Sequence, residues 1–539
     1  MESKFVITNI KWNRIFLEIK IKSDIKEDVN FNFFCYKTKK NIEIKYDEYK
    51  NNEYIFSLNL ASIANNQFLE NGKWRILALH EEEEHTCTVD IETAYELENL
   101  DKIFKYGKND LYSYNISFSL AETENLNYVL IMHNFFMKKN QKWNKRLYLY
   151  EANKPKKIIK NLSKDFKILL MNLAYKILYM TNKHDKILFM SETKDYMWGN
   201  LKAVDDKIEE RKLNLKIIYS FRKAVGVSKS NYSWFKTILK ISKSHTIIVD
   251  DYVPIFNFLK LNKNVELVQL WHAGAGFKAV GYCRFGKNGS PFPVCSCHKN
   301  YTKAIVGSNQ LIKVFEEVFG QQKENLYPYG MPRLDNFLDK DIIETTKKEL
   351  YDEYEFLKNK KIILFAPTYR GVGQKTAYYD FQNFDFEKLY KVCKKKNYLF
   401  LIKLHPFITE RVEIPDKYKE HIREFSEYKH INNLYYITDI MITDYSSSYY
   451  EFSLMEKPIV FFTYDRCEYE LTRGVYQSIK ESAPGKVCDT FKELLDTLDK
   501  EDFELEKTLE FSKSNFDTTF GKASDNIINN IILRNQDKK

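Results

Sequence analysis

Between residues 186 and 308, five short apolar runs each end in a polar cluster: KILFM (186–190), KIIYS (216–220), TIIVDD (246–251), VELVQLWH (265–272) and KAIVGS (303–308). Helical patterning separates them. Strands linked through helices run parallel, because a tight turn cannot return the chain in the same direction, so the alternation predicts βαβ units in a sheet covered on both faces. The series restarts after a Lys- and Glu-rich helical stretch at 340–360, with KIILFAPT (361–368), YLFLIKLHP (398–406), DIMITDYSS (439–447) and PIVFFTYD (458–465). Two Rossmann-like halves are the economical reading. Open α/β sheets bind ligands beyond the carboxyl ends of their strands, which puts Asp250, His272 and Ser308 on the working edge of the first half. A cleft between the halves would collect strand-end residues from both.

At 539 residues the chain exceeds one ordinary core and is divided here into three units. Residues 1–155 carry short alternating runs such as FVITNI, IFLEIKIK, YIFSLNL and WRILAL, which predict a β-rich, sandwich-like accessory domain. The stretch 96–155 is read as an extension rather than part of the same sheet, and the acidic run 81–84 as a solvated loop. Residues 160–325 and 326–535 form the two α/β domains, the helical tail from Phe491 closing the second and packing back on the first.

Lys and Arg number 84 against 74 Asp and Glu, an excess of +10 that suits anionic ligands or an anionic bilayer. No nucleic-acid motif accompanies it. The eight cysteines are scattered through a long chain without a signal peptide, so reduced thiols in a cytosol are expected. Cys295, Cys297 and His298 lack a second ligand pair at zinc spacing, and no metal is expected. No apolar stretch reaches the roughly 18 residues of a membrane span. Residues 166–180 (FKILLMNLAYKILYM), preceded by Lys156, Lys157, Lys160 and Lys164, read first as a core-facing helix and second as one lying on an anionic surface.

Four fragments carry chemistry. In WHAGAGFKAVG (271–281), His272 stands at a strand end before a loop with Gly274, Gly276 and Lys278; imidazole suits proton transfer near neutral pH, and glycine admits a substrate close to the backbone. IKLHP (402–406) supplies a second strand-end histidine, His405, with Lys403 nearby, and APTYRG (366–371) supplies Thr368 and Arg370, whose planar fork suits phosphate. In ITDYSSS (442–448), Asp444, Ser446 and Ser447 fall where a helix begins, and unpaired amides there can cradle a pyrophosphate. A plain N-cap reads equally well for that last fragment taken alone.

Together WHAGAGFKAVGY, SCHKNY, YGMPRLD, APTYRG, IKLHP and ITDYSSSYYEFSLMEKPIVFFTYD, followed by RG (473–474) and PG (484–485), resemble the CDP-glycerol glycerophosphotransferase family of teichoic-acid primases and polymerases and related capsule polymerases. The resemblance covers about 185–530. It implies a GT-B-like pair of Rossmann-like domains, CDP-glycerol or CDP-ribitol as donor, no tightly bound cofactor or metal, and a cytoplasmic enzyme peripheral on the inner membrane face. By position, His272 matches the family's WHG-type histidine and is the expected base. His405 matches the HP histidine and is assigned, protonated, to the departing CMP. Arg370, Ser446 and Ser447 are assigned to the pyrophosphate, with Thr368 and Lys403 beside them; Asp444 is expected to orient the loop, and Glu451 to reach a ribose hydroxyl. Many members read WHGTPLK where this chain has WHAGAGFK, so the loop meeting acceptor or polyol differs.

The expected reaction moves a polyol phosphate, first glycerol phosphate and second ribitol phosphate, to a hydroxyl of a lipid-linked acceptor or a growing teichoic-acid or capsule-type polymer, releasing CMP. The rivals are a GT-B glycosyltransferase using a sugar nucleotide and a polymer-binding scaffold with an inactive transferase half.

Overall fold

The structure, a computed structural model, describes residues 4–26, 28–35, 38–97, 100–106, 112–122, 127–138, 155–192, 194–222, 230–274, 280–284, 296–371, 376–472, 475–516 and 520–534. Strands from Val6–Asn13 to Tyr128–Lys138 form one 12-stranded sheet. Alternation sets its inner face: in Phe16–Lys22 and Glu53–Asn59 every second residue is buried. The sheet curls over a single core. Asn30–Cys35 and Glu53–Asn59 lie far apart in strand order, yet the Phe31 ring sits 4.9 Å from that of Tyr54 and 5.1 Å from that of Phe56.

Strands Lys102–Tyr106, Tyr112–Glu122 and Tyr128–Lys138 join this same sheet, through Met132 opposite Trp74, rather than forming a separate extension. Of the acidic run, Glu81 and Glu82 make the turn at positive φ, while Glu83 and Glu84 belong to strand Glu83–Thr86; all four are exposed.

Two six-stranded parallel sheets follow. In the first the order is Ile217–Phe221, Lys186–Ser191, Ser244–Val249, Glu266–Gln269, Lys303–Ile305, Leu326–Tyr327. In the second it is Ile422–Glu424, Tyr398–Ile402, Lys361–Phe365, Ile440–Thr443, Ile459–Phe462, Lys486–Cys488. Central strands such as Ser244–Val249 and Ile440–Thr443 are buried at every position, as a sheet covered on both faces requires. The short outer strands Leu326–Tyr327, Ile422–Glu424 and Lys486–Cys488 have too little apolar run to stand out in sequence.

The second sheet has the order 3-2-1-4-5-6, whose direction reverses between Lys361–Phe365 and Ile440–Thr443. The loops leaving those two strands carry Thr368 and Ser446. The first sheet reverses between Lys186–Ser191 and Ser244–Val249, next to the strand that delivers His272.

The chain ties its parts together. Arg14 of the N-terminal sheet pairs with Glu317 of the first lobe at 2.9 Å, and Asn59 Nδ2 donates to the Glu316 carbonyl at 2.8 Å. Residues 523–533 return from the second lobe to the first, where Ile527, Ile528, Ile531 and Ile532 are fully buried against Ile187, Phe189, Leu201 and Val204. Each such isoleucine contributes roughly 1.5–3 kcal/mol of burial. Arg211 and Asp525, 2.9 Å apart, secure the same contact.

Candidate functional site

A cavity of about 320 Å³ opens between the two α/β lobes. Trp271, His272, Ala273, Val280, Val314, Phe315 and Val318 line it from the first lobe; Thr368, Tyr369, His405, Tyr445, Ser446, Ser447 and Tyr476 line it from the second. Of the residues expected at a shared site, His272, His405, Thr368, Ser446 and Ser447 meet there.

His272 reaches the cavity because the chain turns sharply just before it. Trp271 has φ +53°, a region costly for a bulky side chain, and such conformations persist only where surroundings over-determine them. Here they do. Buried Gln269 accepts from the Trp271 amide through Oε1 at 2.8 Å, and buried Asn200 donates to the Trp271 carbonyl at 2.7 Å. The indole packs on Phe319 and His298. The turn leaves the His272 side chain half exposed, with Nδ1 3.7 Å from Asp251 Oδ2.

His405 follows strand Tyr398–Ile402, and its ring lies 4.8 Å from that of Tyr369. The Phe407 amide donates to His405 Nδ1 at 3.1 Å. With Nδ1 accepting, the ring N–H in this arrangement is on Nε2.

Arg370 stands behind the cavity, not in it. Its Nε and NH2 groups donate to Asp465 at 2.5 and 2.9 Å, and NH1 donates to Asp444 at 2.9 Å and to the Thr368 carbonyl at 2.6 Å. Burial alone would depress the guanidinium pKa, but Asp444 and Asp465 more than offset it and raise it. With four of its five N–H groups taken, the side chain clamps loops instead of gripping a pyrophosphate.

Asp444, fully buried, completes the clamp by accepting from the amides of Thr368 at 2.7 Å and Tyr445 at 2.6 Å. It thereby ties the APTYRG loop to the serine loop. Thr368 Oγ1 is buried at the cavity wall with no hydrogen-bond partner among the described residues.

Ser447 precedes a helix of only five residues, Ser448–Phe452, too short for a large macrodipole. Ser446 Oγ lies 2.8 Å from Ser448 Oγ and accepts from the Ser448 amide at 3.2 Å. What remains for a ligand is the hydroxyls and amides of the loop rather than a strong helix end.

Five other expectations move. Glu451 is buried in an ion pair with Arg333, whose NH2 also donates to the His272 carbonyl at 3.2 Å, so Glu451 braces the lobes and does not reach toward a ribose. Lys403 is buried and donates to the Ser426 carbonyl at 3.1 Å; burial lowers its pKa, and it does not line the cavity. Asp250 is buried beside Asp251, and Ser308 donates to Asn515 at 2.8 Å; neither lines the cavity. Gly274 packs behind the cavity against Tyr450, while Gly276 and Lys278 lie outside the described residues, as do Cys295 and residues 473–474. Cys297 and His298 are buried, both facing the Tyr301 hydroxyl, and burial lowers the His298 pKa to about 3.

Sequence reading missed Gln269, Asn200, Asp251 and the aromatic wall of Tyr369, Tyr445 and Tyr476. The paired Asp250 and Asp251 at a strand end were a usable signal, because alternation turns one inward and the next outward. Asn200 and Gln269 act on backbone from within the core, which no local pattern announces.

Comparison with known proteins agrees with this geometry. The sequence model of the family described as CDP-glycerol:poly(glycerophosphate) glycerophosphotransferase matches residues 173–533. The chain is 37% identical over 370 residues to the teichoic acid poly(ribitol-phosphate) polymerase of Bacillus spizizenii strain W23, covering 68% of this chain and 60% of that protein. It is 36% identical over 352 residues to the teichoic acid ribitol-phosphate polymerase TarL of Staphylococcus aureus, covering 65% of this chain and 63% of that protein. It therefore spans under two thirds of the length of either curated relative. In fold it is similar to the wall teichoic acid polymerase TagF, with a TM-score of 0.54 and 22% identity over 72% of this chain and 99% of that one. Two facing α/β lobes, a histidine from each on one cavity and a match over residues 173–533 place this chain in the CDP-glycerol:poly(glycerophosphate) glycerophosphotransferase family.

Proposed function

We propose that this protein is a phosphotransferase that moves a polyol phosphate from a CDP-polyol to a hydroxyl of a lipid-linked acceptor or a growing teichoic-acid or capsule-type polymer, releasing CMP. The observation that carries this reading is the meeting of His272 and His405, one from each lobe, on a single cavity floored by Ser446 and Ser447. His272 takes the proton of the acceptor hydroxyl, whose oxygen attacks the β-phosphorus of the donor. The bond from that phosphorus to the bridging oxygen breaks, and CMP leaves with the electron pair. His405 donates from Nε2 to the phosphate oxygens of the departing CMP, while Thr368 Oγ1 and the hydroxyls and amides of Ser446 and Ser447 hold the transferred group. Such chemistry depends on positioning and charge stabilisation more than on covalent help.

The family description points to CDP-glycerol as donor. CDP-ribitol is the second reading, favoured by the two relatives of 37% and 36% identity, both named for ribitol phosphate. The test is incubation with CDP-glycerol, CDP-ribitol and a panel of UDP-sugars together with a synthetic lipid-linked acceptor, followed by CMP release and mass spectrometry of the product. Growth in polyol-phosphate steps supports the proposal. Growth in sugar units with UDP release would replace it with a glycosyltransferase, and release of neither CMP nor UDP above background with any donor would favour the scaffold.

The same reading places the protein on the inner face of the cell membrane. No helix among the described residues is long and apolar enough to cross a membrane. Helix Pro155–Thr181 instead turns Met171 and Tyr175 into the first lobe and presents Phe166, Leu169, Leu170, Leu173, Ile177 and Met180, each at least 47% exposed, on the opposite side. Exposed Lys167 and Lys176 flank that stripe, a composition suited to an anionic interface.

A further inference from the structure

We infer that Asp251 is the positioning residue for His272, holding its imidazole with Nδ1 toward the carboxylate so that Nε2 is the atom that receives the acceptor proton. The inference rests on the transferase reading above but is carried by its own geometry. Asp251 Oδ1 is anchored by the Tyr252 amide at 2.6 Å, which aims Oδ2 at His272 Nδ1, 3.7 Å away. At that separation the contact is electrostatic rather than a hydrogen bond, and catalytic contacts commonly tighten once substrate is bound.

The two loops are braced against each other from below. Gln269, with no exposed surface, donates through Nε2 to the Asp251 carbonyl at 3.1 Å and accepts through Oε1 from the Trp271 amide at 2.8 Å. The Tyr301 hydroxyl, 2.9 Å from the same Nε2, fixes which way the Gln269 amide points. One buried side chain therefore sets the spacing between the residue that carries the carboxylate and the turn that projects the imidazole.

A carboxylate on Nδ1 does two things for a base. It favours the neutral tautomer protonated at Nδ1, leaving the Nε2 lone pair for the proton. It also stabilises the imidazolium that exists after transfer, without itself taking the proton. In the balance of the step, the proton moves from acceptor oxygen to Nε2 and the electron pair from that O–H bond becomes the new O–P bond.

The experiment has two arms. Imidazole ¹⁵N shifts of His272, assigned by difference against His272→Gln, report the tautomer with no substrate present. A neutral ring protonated at Nδ1 in the unaltered protein, shifting toward the Nε2-protonated form in Asp251→Asn, is expected; a ring already protonated at Nε2, or one unchanged by the substitution, would overturn the pairing. In the kinetic arm, Asp251→Asn is expected to lower kcat by roughly 100-fold or more with little change in KM for the CDP-polyol, and Asp251→Glu to recover part of the loss. An unchanged kcat, or a loss confined to KM, sinks the role. Failure of the transferase reading would look different: the unaltered protein would turn over no CDP-polyol while the tautomer arm still reported on the Asp251–His272 pair.

Discussion

The Tyr450 ring occupies the space that a Cβ on Gly274 would fill, and its hydroxyl occupies the space beside Gly307, so the serine-loop helix of one lobe plugs into the histidine loop of the other. Glu451, the next residue, pairs with Arg333, which in turn holds the His272 carbonyl. The His272 loop is thus held to the serine-loop helix by this joint. Gly274→Ala forces an added methyl against a buried aromatic ring and is expected to cost about 1–3 kcal/mol, read as a fall in thermal stability together with a loss of transfer. Tyr450→Phe removes a buried hydroxyl that has no hydrogen-bond partner among the described residues. Its stability should match or exceed that of the unaltered protein.

Replacing the proposed base should separate chemistry from binding. His272→Ala is expected to reduce transfer by at least roughly 100-fold while calorimetric affinity for the CDP-polyol stays within a few-fold, because the donor is assigned to the other lobe. His405→Ala should weaken transfer and donor affinity together. Near-normal chain growth in His272→Ala would remove that residue from the base role.

Arg370 offers a contrast between fold and ligand. Its guanidinium is consumed by Asp444 and Asp465, and removing it leaves buried carboxylates unpaired. Arg370→Ala is expected to lose on the order of 3–5 kcal/mol in denaturant unfolding. Arg370→Lys should recover only part, since an ammonium cannot span both carboxylates with the same fork. Donor affinity unchanged in stably folded Arg370→Lys would confirm a clamp; a large affinity loss without a stability loss would return Arg370 to the pyrophosphate.

These contrasts show how far local patterning reached. The alternation of apolar runs and helical segments was enough for both parallel sheets, and strand ends located His272, His405, Thr368 and Ser446, because backbone direction alone decides which end of a parallel strand meets ligand. Side-chain destination is another matter. Arg370, Lys403 and Glu451 sit in motifs beside the cavity, yet each turns away to a partner brought by a distant segment: Asp465, the Ser426 carbonyl and Arg333. A sequence displays the charge but not the opposite charge that claims it. The left-handed turn at Trp271 was equally hidden, since a tryptophan is among the last residues expected there and its restraints come from Asn200 and Gln269.

Asp250 makes the first lobe sensitive to pH. Burial raises its pKa to about 6, with the Asp251 charge acting in the same direction and Ser191 and Lys194 opposing. A carboxyl whose pKa is higher folded than unfolded binds more protons in the folded state between the two values. Its contribution is therefore fully present below about pH 4 and declines as pH rises through about 6, a change on the order of 2–3 kcal/mol. Asp250→Asn should flatten this component of the stability profile and stabilise the protein at neutral pH. Identical profiles for the two proteins between pH 4 and 7 would refute the assignment.

The exposed stripe on helix Pro155–Thr181 is the remaining surface to be accounted for. Six large apolar side chains on one face of a helix are stable in water only at a cost, and the proposed transfer to a lipid-linked acceptor gives a reason to keep such a face toward the bilayer. Leu169→Glu with Leu173→Glu changes two exposed positions, 62% and 51% accessible, on the side of the helix away from Met171 and Tyr175, so folding should be largely unaffected. Co-sedimentation with vesicles containing anionic lipid should fall by roughly tenfold or more, since burying the exposed half of two leucines contributes about 1.5–3 kcal/mol in total. Transfer to a soluble acceptor analogue should persist while transfer to a vesicle-embedded acceptor drops. Vesicle binding equal to that of the unaltered protein would show that this face meets something other than lipid.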